Sequence, residues 1–117
     1  MEGNAKFKVK YLDNVITFLN TLDKVVQRKI IYNVYKSSLV LDKELFKKLN
    51  NTDIWEFRTL YNKTAYRLFA FWDTEEDALV VITHGIIKKD QKTPRKEIER
   101  AEAIRKEYLY NKRLWKQ

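Results

Sequence analysis

Cysteine is absent from this chain, which excludes disulfides, thiol nucleophiles and cysteine-ligated zinc. A single histidine, His84, is too few for a histidine-cluster metal site. Catalysis would therefore fall to arginine, lysine, carboxylate, tyrosine or that one imidazole, and neither metal nor other cofactor is expected. Two glycines and one proline leave little punctuation: there is no linker, repeat or low-complexity tract, so residues 1–117 are expected to form one domain. No apolar run reaches the roughly 18 residues of a membrane span, and Met1 to Lys6 offers no apolar targeting region. The expectation is a soluble, cytoplasmic protein without a membrane partner.

Apolar residues make up 44% of the chain and aromatic residues 14%, enough for a packed core and too much for a disordered tract. Charge is the stronger signal. A net charge of +8 points to a polyanionic partner, either nucleic acid or an acidic protein, although solubility alone is a plainer use of the same excess.

Phe7 to Tyr11 alternates apolar and polar residues and predicts an opening strand. Asp13 is placed to cap a short helix carrying Val15, Phe18, Leu19 and Leu22, and Asp23 a second with Val26, Ile30 and Val34 inward. Leu41 to Asn50 suggests a short helical turn. A three-stranded meander follows: Trp55 to Arg58, the turn Asn62-Lys63, then Tyr66 to Trp72, an acidic turn from Asp73 to Asp77, and the apolar strand Leu79 to Ile82, expected to be central. Thr93 as cap and Pro94 as first helical residue open a last helix with Ile98, Ala101, Ile104 or Arg105, and Tyr108 inward. The fold class is α+β.

Strand register gives the first functional clue. A two-residue turn at Asn62-Lys63 sets Arg58 opposite Arg67, which is unfavourable unless something negative lies between them. If the next turn is Thr74 to Asp77, Asp73 pairs with Ala78 and His84 falls beside Arg67. Trp55, Phe57, Tyr66, Leu68, Trp72, Leu79 and Val81 would then form the core face, with Arg58, Arg67 and His84 on the less covered one. Lys88, Lys89 and Lys92 follow in a loop at the strand exit, and Lys63 sits in the hairpin turn. Each has a plain structural use as well: strand arginines pair with carboxylates, a lone histidine is satisfied inside the core, and loop lysines are solvated.

An arginine pair can hold a phosphate bidentately and stabilise the extra charge of a pentacoordinate phosphorane. In RNA the adjacent 2′-hydroxyl can then act as nucleophile without a metal, once a base takes its proton. His84 or a loop lysine such as Lys88 could serve as base or acid, and the sequence does not choose between them.

The segments Ile54 to Arg58, Ala65 to Phe71 and Thr83-His84-Gly85-Ile86-Ile87-Lys88-Lys89-Asp90-Gln91-Lys92-Thr93-Pro94 together resemble the HigB-like, phage-derived branch of the RelE/ParE toxin superfamily. The resemblance spans about Phe7 to Tyr108 and is most specific in the last segment. It implies a RelE/ParE-like (microbial RNase-like) α+β fold and a type II toxin–antitoxin toxin, an mRNA interferase that cleaves mRNA on the ribosome without a metal. It further implies a cognate antitoxin, usually a helix-turn-helix protein, as partner. By position, Arg58 and Arg67 match the family's strand arginines and Lys88, Lys89 and Lys92 its basic loop; taken with the row counted from strand register, the expected catalytic residues are Arg58, Arg67, His84 and Lys88, and the expected RNA-binding residues Lys63, Lys89 and Lys92. Residues 36–50 are not distinctive, and the tail after Tyr108, although it holds Tyr110 and Arg113, does not match the C-terminal Tyr and Arg that well-understood RelE members use. A ParE-like toxin that inhibits DNA gyrase is the alternative from another class, and a degenerate toxin kept as a binding module is a third. Fold alone does not separate them.

Overall fold

The computed structural model describes residues 5–89 and 92–115; Asp90 and Gln91, quoted above in the loop motif, and Met1 to Asn4 lie outside the described residues. In chain order the elements are β1 (Lys8–Tyr11), α1 (Asp13–Asn20), α2 (Lys24–Leu39), β2 (Phe46–Lys48), β3 (Trp55–Tyr61), β4 (Thr64–Asp73), β5 (Leu79–Lys88) and α3 (Arg95–Trp115). The strands form one sheet in the order β1-β5-β4-β3-β2, antiparallel except for the β1–β5 pair. The expected opening strand, paired helices, meander and final helix are all present. β4 is the middle strand, and Leu79 to Ile82 of β5 is paired on both sides, by β4 and β1.

Period-two alternation sends side chains to two covered faces. One packs under α1 and α2, where Phe57, Leu68, Ala70, Val80 and Ile82 meet Phe7, Val15, Leu19, Val26, Ile30, Val34 and Phe46. On the other, Ile54, Phe69, Phe71 and Val81 pack against Ala101 of α3, joined by Ile98 and Tyr108. Arg105 lies over the Phe71 ring, so it, rather than Ile104, takes the inward position left open between them. Gly85 is required by close approach: a Cβ there would stand 2.6 Å from Leu68 Cδ2 and nearer still to the Phe18 ring.

The hairpin register is the expected one. Tyr61 pairs with Thr64 and Arg58 with Arg67, and Asn62 and Lys63 have φ of 52° and 67°, the left-handed pair that a two-residue turn matching the sheet twist needs.

Several expectations are corrected. Residues 41–50 hold no helix; a turn leads into β2, which pairs Phe46 with Phe57, because burying the Phe46 ring against Phe57 outweighs the weak local helical pattern. Asp13 is the first helical residue rather than the cap, a place taken by Leu12, and Asp23 stands at the cap of α2 without a side-chain bond. Pro94 precedes α3, which starts at Arg95, and the Thr93 hydroxyl donates to Glu56 rather than capping the helix. Asp73 pairs with Leu79, one residue beyond the expected partner, and a bulge between Phe69 and Ala70 shifts the ladder once more. His84 therefore pairs with Phe69, and Arg67 with Ile86. Two one-residue shifts restore parity, so His84 keeps the face of Arg67 but not the place beside it. Before the bulge, the single shift moves Leu79 and Val81 to the α3 face and brings Val80 and Ile82 into the larger core.

Candidate functional site

Glu56, Arg58, Arg67, His84 and Lys88 share the α3 face of the sheet, as period-two spacing along β3 and the register of β4 and β5 require. The arginines face each other across β3 and β4, and the negative group that such a pair needs is internal. Glu56 Oε1 lies 3.7 Å from Arg58 Nε and 3.6 Å from Arg67 Nε, on a residue that is 4% exposed. Those distances are too long for hydrogen bonds, and both Nε–H groups have no partner. Glu56 Oε2 accepts from Thr93, which ties the carboxylate to the segment leading into α3. One terminal nitrogen of Arg67 donates to the Tyr66 carbonyl. Arg67 is buried, whereas the Arg58 side chain keeps 30% of its surface.

One carboxylate does not balance the cations around it. Burial lowers the Arg67 pKa, with Glu56 opposing and Arg58 adding to the effect; a guanidinium starts high enough to stay charged. Lys88 is held below the ordinary lysine value by burial first and then by Arg67, against the pull of Glu56, with Arg58 and Lys47 contributing further. A groove of about 420 Å³ between β3 and α2 is bordered by Arg58 and Arg67 of the sheet, by Lys29, Asn33 and Lys36 of α2 and by Glu44, so four cations and one carboxylate line it. A fork of two guanidiniums with surplus positive charge can bind a phosphodiester and stabilise charge growing on it.

His84 has a different environment. It is 1% exposed, stacked on Phe69 at 4.9 Å, with Nε2 3.1 Å from Glu97 Oε1 and Nδ1 2.9 Å from Thr83 Oγ1. In the neutral ring Nε2–H donates to Glu97, while Nδ1 stands beside the Thr83 hydroxyl, which donates to the Phe69 carbonyl. Burial holds its pKa below the ordinary 6.5, the Glu97 bond opposes this, and Arg100 adds to the lowering. The ring thus ties the β5 bulge to the first turn of α3. The far end of α3 is tied as well: the buried Asp73 carboxylate accepts from Tyr108 at 2.8 Å and Lys112 at 2.6 Å. Burial alone would raise the Asp73 pKa, but these bonds outweigh it, while burial and the bond to Asp73 push Tyr108 up to about 12.

A pH dependence of stability follows from His84. Its folded pKa lies below that of the unfolded chain, so as pH falls the unfolded state takes up the proton first. The stabilisation is complete above about pH 6.5 and declines below it. Unfolding midpoints at about pH 7.5 and about pH 5 should show this loss, and His84→Gln should remove much of it. An equal slope in the variant would assign the titration to other groups.

Of the other residues picked from sequence, Lys89 and Lys92 are exposed beyond the end of β5, and Lys63 is exposed at the tip of the β3–β4 hairpin. The sequence reading missed Glu56, Lys47, Lys29, Lys36 and Thr93. Glu56 could have been found, since two residues before Arg58 on a strand is the same face. The α2 lysines could not, because their approach to β3 is tertiary.

Comparisons with known proteins bear on the family and the fold. Residues 17–106 match the family described as phage derived protein Gp49-like. No curated protein sequence is significantly similar. Among solved structures, the RelBE2 toxin–antitoxin complex of Mycobacterium tuberculosis aligns at TM-score 0.56 and 16% identity, covering 77% of this chain and 100% of that one. The intact E. coli RelBE toxin–antitoxin complex gives 0.53 and 15%, covering 74% and 100%. A free-state double mutant of the E. coli toxin RelE gives 0.53 and 14%, covering 70% and 82%. At these identities the likeness is one of fold, and the fold is that of RelE toxins.

Proposed function

This chain belongs to the phage-derived Gp49-like family, and we propose that it is the toxin of a type II toxin–antitoxin system that cleaves mRNA on the ribosome. The observation that carries this reading is the Arg58–Arg67 pair, set across two strands around a buried carboxylate with Lys88 on the same face. Membership of the HigB-like branch belongs to the same proposal, supported by the strand-exit motif ending in Lys-Thr-Pro. So does a cognate antitoxin as partner, supported by structural neighbours that are themselves toxin–antitoxin complexes.

In the proposed reaction the scissile phosphate lies against the exposed fork of Arg58, with Arg67 behind it. The 2′-oxygen attacks phosphorus, its proton passes to a base, the bond to the 5′-oxygen breaks, and that oxygen is protonated from water. Lys88 is the proposed base, because it shares the face of the arginine pair and because burial and the neighbouring guanidiniums hold its pKa below the ordinary lysine value. Glu56 positions rather than reacts: it holds both guanidiniums in place and is itself held by Thr93. Lys89, Lys92 and Lys63 would contact the RNA backbone. His84, with almost no exposed surface, is given the support of the β5–α3 junction instead of a place on substrate. The scheme needs no metal, since the charge of the phosphorane is met by guanidinium groups.

The test is induction of the protein in growing cells, with reporter mRNA and the DNA-damage response followed together. Growth arrest with ribosome-associated mRNA cleavage and a silent damage response is the expected result. Arrest with an induced damage response and intact mRNA would replace this reading by gyrase inhibition.

A further inference from the structure

Helix α2 carries two apolar stripes. Val26, Ile30 and Val34 lie on the buried one, which packs into the core. On the opposite side, positions 25, 28, 32, 35 and 39 succeed one another at alternating spacings of three and four, the period of a seam that pairs with another helix. Four of the five are Val25, Tyr32, Tyr35 and Leu39. Val25, Tyr32 and Tyr35 are 48%, 55% and 43% exposed, and the apolar surface runs on past the helix end through Val40 and Leu41 at 53% and 77%. A helix of a packed domain needs only one apolar stripe, and the exposed second one has no partner among the described residues.

Charge decides what could cover it. Lys24, Arg28, Lys29 and Lys36 lie on α2, which has no acidic residue, and Lys29 sits over the Tyr32 ring at 5.9 Å. A second copy of α2 would bring like charges together. RNA would meet the cations but gain nothing from Val25, Val40 and Leu41, which neither stack nor hydrogen-bond. We propose that the outward face of α2 is a docking seam for an acidic amphipathic helix of another protein, its apolar residues packed on Tyr32 and Tyr35 and its carboxylates beside Lys29 and Lys36.

Those two lysines also line the groove that the arginine pair borders. A helix on the seam would therefore draw positive charge from the candidate site without entering it. The seam itself does not depend on the nuclease reading, and its test involves no cleavage.

The probe is a synthetic peptide of about four heptads with leucine at a and d and glutamate at e and g, which repels itself and stays unpaired. Saturable binding to the full chain by calorimetry is expected, weakened about tenfold or more by the double variant Tyr32→Ala/Tyr35→Ala. A similar loss is expected in Lys29→Glu/Lys36→Glu. An unchanged unfolding midpoint in the tyrosine variant would show that the loss is not one of folding, and Tyr32→Glu alone, a change on a solvated face, provides a second route to the same loss. Absence of saturable binding would overturn the proposal. So would equal affinity for a peptide with lysine at e and g, or a dimer of the chain that Tyr32→Glu converts to monomer. Loss of affinity for a single-stranded RNA oligonucleotide in the tyrosine variants, with peptide binding unaffected, would assign the face to RNA instead.

Discussion

Replacing Arg67 by alanine should abolish growth arrest and reduce ribosome-dependent cleavage by about 10²- to 10³-fold, the usual cost of removing one preorganised donor to a developing charge. The effect should exceed that of Arg58→Ala, because Arg67 is the more buried of the two and is fixed through the Tyr66 carbonyl. Fixed groups lose more when deleted, since no mobile side chain replaces them. Arg67→Lys separates charge from geometry: it keeps a cation near Glu56 but loses the planar fork, so it should fold and remain largely inactive. Cleavage of reporter mRNA at matched expression is the measurement. Full activity in Arg67→Ala would remove the arginine pair from the mechanism.

Phe57→Ala should produce the largest loss of stability. The ring is 2% exposed, stacked on Phe46 at 4.2 Å and 6.3 Å from Phe7, so its removal takes a buried member out of an aromatic cluster. A cost of about 3–5 kcal/mol is typical of such a truncation, equivalent in a domain of this size to roughly 10–20 °C in unfolding midpoint. Function should fall with it, because Phe57 lies between Glu56 and Arg58 and anchors their strand from the opposite face. Phe57→Leu should recover most of the loss. A midpoint shift of only a few degrees in Phe57→Ala would mean that the cluster relaxes into the space.

The two predictions draw on parts of the molecule that were unequally legible in the sequence. Asn62-Lys63 fixes both the turn and the register, so the Arg58–Arg67 pairing could be counted from the residues alone. The next register could not, because the extra residue of the bulge opposite Phe69 and Ala70, Thr83, is neither a glycine nor a proline. β2 escaped notice for a related reason: three residues show no period, and only the approach of Phe46 to Phe57 makes them a strand. In the candidate site, positive charge was legible and its compensation was not. The carboxylate that makes the arginine pair tolerable is one strand period from Arg58, and its bond to Thr93 joins residues 37 positions apart in sequence. Burial of His84 likewise depends on α3, whose docking no local pattern encodes.

The pairing of β1 with β5 has a consequence in time. Val9 lies beside Val80, so the first strand made must wait for about seventy more residues before its partner exists, and contacts of that span slow folding. The sheet cannot be completed on a growing chain until β5 has left the exit tunnel, and α3, which covers the second face, follows later still. A nascent chain of this protein therefore emerges with its arginines exposed but unpositioned. The arginine pair is in place only once β5 and α3 have emerged, which gives a binding partner made beforehand an interval in which to reach α2, already complete, before the sheet closes.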